Sequence, residues 1–329
     1  MSAHLNTTTH QAPAPAKYRL GDKIAAGLVL LLALIPLVSG DGFSLRFGAE
    51  ILLIGTAVMS LNLLIGGGGL VSLGHAAVFG AAGYSAAVAA GSWGAQLPVM
   101  LVIGIFAGML IASIIGLVTL RSAGLFFLVL TLVVGQMVWE LAFRWRDVTG
   151  GADGLRGFPK LALGSLRLDT PLALYLVAAA IALVGWAVTR SFQRAPIGQA
   201  LAGVRDQPIR MGALGYQVGR IRVTAFLLAG AVAGAAGAIY PFVNQYIGPN
   251  SVHWSMSAAL IIMAVIGGVG SLYGGYLGAL VYLFVQTEVS SYTDRWQLVI
   301  GLIFVATVIL MPNGIAHWLG QRGVRGGRS

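Results

Sequence analysis

Ten apolar runs, separated by short polar or glycine-rich stretches, occupy most of the chain from residue 24 onward. They cover 24–40, 48–65, 70–90, 97–120, 124–143, 170–189, 223–243, 255–269, 272–290 and 296–312. A helix needs about 20 mostly apolar residues to cross a hydrocarbon core. These runs are too long for barrel strands, and an α-bundle satisfies its own backbone hydrogen bonds in lipid. The pattern predicts an all-α, polytopic membrane helix bundle of about ten transmembrane helices, some short or broken.

The breaks carry their own pattern. "GGGGLVSLGHAAVFGAAG" at 66–83 and "GGVGSLYGGYLGA" at 267–279 each set a glycine cluster and a Ser-Leu pair between consecutive apolar runs. Paired broken segments point to a substrate route, while close glycine packing produces the same echo. Polar side chains inside lipid are costly and are functional candidates by default. Six are taken as substrate-pathway candidates: Asn62, Ser72, His75, Thr131, Gln136 and Glu140. Gln136 and Glu140 share a helical face. Each has a plainer alternative: His75 bonding a carbonyl freed by the glycines, and Glu140 pairing with Arg144 one turn on. Asn244, Gln245, Gln286 and Glu288 stand near run ends, as do the aromatic anchors Trp139, Trp186 and Trp296.

Composition agrees with the bilayer as solvent. Of 329 residues, 57% are hydrophobic and 9% charged, against about 25% charged in soluble domains. The net charge of +10 arises mostly from Lys and Arg between the runs, which reads as topology rather than nucleic-acid binding. The loop 190–222, with Arg190, Arg194, Arg205, Arg210, Arg220 and Arg222, is expected in the cytoplasm, and ten spans then place both termini there too. The basic 144–169 loop is the exception. Residues 1–20 read as a disordered polar tail, 21–318 as the membrane domain and 319–329 as a basic tail, the first run being an uncleaved span. There are no cysteines and only three lysines, and the four glycines at 66–69 lead to Leu70 and Val71. A phosphate-binding loop would need Lys and Ser or Thr there. No enzymatic or metal-binding motif stands out, and the chain is expected to bind no cofactor.

One loop is too patterned for a connector. In "RAPIGQALAGVRDQPIRMGALGYQVGRIRVTAF", 194–226, Ala200, Leu201 and Val204 form one apolar helical face with Arg205 and Asp206 beyond it. Pro208 opens a second segment and Gly215 supplies a turn. Such a helix docks into a groove on a partner or lies on anionic lipid.

Six segments in order carry a resemblance: "NLLIGGGGLVSLGHAAVFGAAGYSAA", "LFFLVLTLVVGQMV", "TGGADGLRGFP", "PIGQALAGVRDQPIRMGALGY", "RVTAFLLAGAVAGAAGAIY" and "MAVIGGVGSLYGG". Together the chain resembles the permease subunits of bacterial ABC importers for branched-chain amino acids, the LivM-like kind in particular. The resemblance implies a bacterial inner-membrane location, a second homologous permease subunit, two cytosolic ATPases that bind ATP and Mg, and a periplasmic substrate-binding protein. It places Gly198, Arg205, Asp206 and Gly215 in the loop that couples to the ATPases. Gln199, Asp206-Gln207 and Pro208 depart from the family pattern there. Related permeases take leucine, isoleucine and valine, or urea, short-chain amides or aromatic acids. The rival from another class is an ion-coupled secondary transporter, for which Glu140 and Glu288 are the carboxylate candidates.

Overall fold

The computed structural model describes residues 40–122, 124–293, 295–311 and 314–317. The 24–40 run and both tails therefore lie outside the described residues, except for Gly40 itself. Each of the other nine runs holds a helix. These are α1 (Gly42–Asn62, continued by a π-helical turn, Leu63–Gly67), α2 (His75–Trp93), α3 (Leu97–Val118) and α4 (Gly124–Arg144). After a four-residue α5 (Arg146–Thr149) come α6 (Pro171–Arg194), α7 (Pro196–Asp206), α8 (Pro208–Ala213) and α9 (Val218–Asn244). The described helices end with α10 (Trp254–Gly267), α11 (Gly274–Ser290) and α12 (Trp296–Leu310).

Local chemistry sets the helix starts. Proline stands in the first turn of α3, α6, α7 and α8, where a missing N–H costs nothing. Thr170 caps α6, its Oγ1 accepting from the Ala173 amide at 3.2 Å. Six helices are long and apolar enough to span a bilayer: Gly42–Gly67, α3, α4, α6, α9 and Trp296–His317. Of the remaining three, α10 has only 14 residues and α11 only 17, and α2 is a small-residue helix.

Helices α1 and α9 form the interior. Their spanning windows are 78% and 72% buried, against 28% for α3 and for α4. The apolar perimeter of α3 and α4, with Val102, Phe106, Phe126 and Met137 exposed, is what lipid or another membrane subunit covers. Small residues make the inner seams. Gly104 and Gly108 of α3 meet Gly230, Gly234 and Ala238 of α9 backbone to backbone, so an added methyl on Gly234 would stand 3.2 Å from Gly108 Cα.

At one end of the bundle, the 144–169 loop folds over α1 and α9. β1 (Leu155–Arg156) pairs antiparallel with β4 (Tyr246–Ile247), and β2 (Ala162–Leu163) pairs with β3 (Leu166–Arg167) through a tight turn. The opposite end holds both glycine breaks and the α7–α8 loop.

Candidate functional site

The two breaks lie against each other. The first follows the π-turn, with Gly69 at φ 65°, and the second joins α10 to α11, with Gly268 at φ 115° and Gly270 at φ 83°. Side chains rarely adopt these backbone conformations. Gly66 has no room for a methyl, because Gly270 N would lie 2.7 Å from it. Both glycine clusters thus serve close approach as well as chain reversal.

Asn62 joins them. Its Nδ2 donates to Gly268 O at 3.0 Å and Ser271 O at 2.8 Å, and its Oδ1 accepts from the Gly270 amide at 2.7 Å. One buried amide therefore satisfies three backbone groups of a loop more than 200 residues away in the chain. The reverse contact comes from α10, where Ser257 Oγ accepts from the Ala76 amide at 2.9 Å in the first turn of α2. That amide is one of the donors a helix start leaves unpaired.

Ser72 and Thr131 complete the first break. Ser72 Oγ accepts from the Gly74 amide at 3.2 Å, and Thr131 Oγ1, reaching in from α4, accepts from the Leu73 amide at 3.0 Å. His75, only 1% exposed, differs from expectation. Its Nε2 is 2.8 Å from Ser60 Oγ on α1, and Ser60 in turn donates to Ala57 O at 2.7 Å. Ser60 has one proton and gives it to Ala57, so the histidine Nε2–H is the donor in the shared bond. The ring ties α2 to the preceding helix rather than to a carbonyl freed by the glycines.

Gln136 and Glu140 stand apart from this group, further along α4. Glu140 forms an ion pair with Arg144, the plainer of the two expected roles. Gln136 Oε1 is buried with no partner among the described residues. The structure brings together Asn62, Ser72, His75 and Thr131, and each is occupied by bonds within the chain.

The 194–226 loop folds as its pattern predicts. Ala200, Leu201 and Val204 are the buried residues of α7, and Pro208 starts α8. Gly215 turns the chain at φ 87°. Gly198 packs on the end of α6, where a methyl would stand 2.9 Å from Gln193 Cα. Arg205 faces two ways: its Nε donates to Asp206 Oδ1 at 2.9 Å, and its Nη1 donates to Gly66 O at 2.5 Å. Leu201 lies under the same glycines, with Cδ1 3.3 Å from a methyl placed on Gly68. The loop therefore has one face on the first break, while Ile209, Leu214 and Tyr216 are exposed, Ile209 by 89%.

Sequence reasoning missed one group. Glu50, in the third turn of α1, is half-buried inside a spanning helix and accepts from Tyr240 Oη of α9 at 3.4 Å. It joins Glu140 and Glu288 as an intramembrane carboxylate, and Glu288 is exposed. Its signal was present, since it stands within the 48–65 run.

A helical bundle with six helices long and apolar enough to span a bilayer defines a multi-pass membrane protein. The chain belongs to the family described as "Branched-chain amino acid transport system / permease component", which residues 45–308 match. It is similar to the "High-affinity branched-chain amino acid transport system permease protein LivM" of Escherichia coli K12 and of Salmonella typhimurium. Each is 26% identical over 285 residues, 78% of this chain and 66% of the relative. The chain thus spans just under two thirds of these relatives' length. A shorter similarity, 24% over 157 residues, covers 46% of this chain and 49% of the LivH permease of Escherichia coli K12. No solved structure matches the chain.

Proposed function

We propose that the chain is the transmembrane permease subunit of an ATP-driven ABC importer for branched-chain or related amino acids in a bacterial inner membrane. The contact between the α7 loop and the first glycine break carries this reading. Arg205 holds the last turn of the broken helix through Gly66 O, and the loop's other face is free for a partner. A push on α7 is delivered to the backbone between α1 and α2, where Asn62 passes it to the second break.

In this reading two cytosolic ATPases bind ATP and Mg, and this chain binds no cofactor. Gly198, Arg205, Asp206 and Gly215 shape the coupling loop. A second, homologous permease subunit completes the pore, and a periplasmic binding protein selects the substrate. The coupling end and both termini face the cytoplasm. Amino acids are the favoured substrates; urea, short-chain amides and aromatic acids are the alternatives that the binding protein would decide. Asn62, Ser72, His75 and Thr131 act by shaping the moving breaks.

The test is uptake by the assembly reconstituted in proteoliposomes. Uptake is expected only with ATP and all subunits present. Uptake of comparable rate by this chain alone, driven by a proton or sodium gradient, would overturn the proposal and transfer the role to an ion-coupled carrier, for which Glu50 supplies a half-buried carboxylate.

A further inference from the structure

At the end of α1 remote from the coupling loop, two opposite charges one helical turn apart are left unpaired. Arg46 and Glu50 occupy i and i+4 of α1, where side chains are close neighbours. They nevertheless form no ion pair with each other, and Arg46 makes no hydrogen bond or ion pair among the described residues. Glu50 has only the long bond from Tyr240, which leaves its second carboxylate oxygen without a hydrogen bond among them. Glu50 is half-buried, and a carboxylate kept short of partners there is costly unless a ligand completes it, while Arg46 is exposed and open to one.

A pocket opens beside Arg46, one helical turn from Glu50, which does not line it. Arg46 lines it together with Lys160, Asp169, Phe242 and Gln245. Lys160 and Asp169 are already paired with each other at 3.7 Å, so Arg46 is the cation left for a ligand. Phe242, fully buried, forms an apolar wall. Gln245 is the only non-glycine with positive φ among the described residues, at 53°, and its side chain is held by donation to Phe242 O at 2.7 Å. That conformation closes α9 as an ordinary left-handed cap, with the side chain turned back onto the helix end. Along the α1–α9 seam the order is regular: Arg46 lies beside 242–245, and Glu50 beside Tyr240 one turn deeper.

We propose that Arg46 and Glu50 receive a zwitterionic α-amino acid at the mouth of this seam. The guanidinium takes the α-carboxylate in a two-pronged hydrogen bond, Glu50 takes the α-ammonium, and the side chain lies against Phe242. A ligand carrying one charge leaves the other protein charge uncompensated. The site therefore distinguishes an amino acid from its amine or its acid. This deepens the importer reading and rests on it for the direction of travel.

The test uses the full-length chain in lipid nanodiscs and radiolabelled L-leucine, competed with 3-methylbutylamine and with 4-methylpentanoate. Saturable leucine binding is expected, with each singly charged analogue competing about tenfold or more weakly. Arg46→Gln and Glu50→Gln are each expected to weaken binding by about tenfold, with Arg46→Lys, which keeps the charge but loses the fork, falling between wild type and Arg46→Gln and the melting midpoint unchanged. Absence of leucine binding, equal competition by the analogues, or unaltered binding in a folded Arg46→Gln protein would each overturn the site. Leucine binding without ATP-dependent uptake would instead overturn the importer reading and leave the site standing.

Discussion

Replacing Asn62 by Leu removes one side-chain amide of similar volume and strands three backbone groups in the second break. The bond to Gly268 O is buried, whereas those with Ser271 O and the Gly270 amide are partly open. An unsatisfied buried group costs about 1–3 kcal/mol, and a group that water can reach costs nearer the lower figure. The expected loss is therefore roughly 3–4 kcal/mol of stability, taking about 2 for the buried bond and about 1 for each of the others. For a chain of this size that lowers the melting midpoint by about 4–6 °C. Tryptophan fluorescence of the purified protein, with its seven Trp residues, reads the midpoint directly. Asn244→Leu is the control, because Asn244 is exposed and makes only a 3.5 Å bond to Tyr240 O. A shift of less than 2 °C for Asn62→Leu, or an equal shift in the control, would refute the idea that one amide joins the two breaks.

Three other outcomes follow from the same geometry. Thr131→Val leaves the Leu73 amide without its partner and is expected to cost about 1–2 kcal/mol, with Thr131→Ser close to wild type in thermal unfolding. Glu140→Gln breaks an exposed ion pair and should change stability by less than about 0.5 kcal/mol; a loss of transport in a folded Glu140→Gln protein would return Glu140 to the substrate pathway. Asp206→Arg reverses the charge on the outward side of α7 and is expected to weaken capture of the ATPase subunits on pull-down while leaving the permease folded, and unchanged capture would exclude Asp206 from the docking face.

Much of this architecture could be read from one-dimensional pattern. A helix that must bury its backbone in lipid shows itself through length and apolarity, which is why α3, α4 and α6 begin within a residue of their predicted starts. The amphipathic face of α7 was equally legible, because Ala200, Leu201 and Val204 repeat at helical spacing and are the buried residues of that helix. What pattern does not encode is which distant polar groups meet. Asn62 was legible as a candidate, but its partners at 268–271 depend on tertiary packing. His75 was expected to serve the loop beside it, yet the chain reversal through the break sets its ring 2.8 Å from Ser60 of α1. Glu50 escaped notice because one charged residue near the end of an apolar run looks like an interfacial residue until Tyr240 is placed beside it.

The seam between α3 and α9 bears on how such a molecule can move. Helices usually slide by small amounts because interlocking side chains can repack between alternative positions. Where Gly104 and Gly108 touch Gly230 and Gly234, there is no side-chain layer to repack. The two helices form a fixed post. In the importer proposed above, a swing between open and closed forms would hang from it, as shutters hang from a frame. The shutters are the helix pairs on either side of the glycine breaks, and α4, joined to them chiefly at Gly74 and Thr131, is the panel with the lightest hinge.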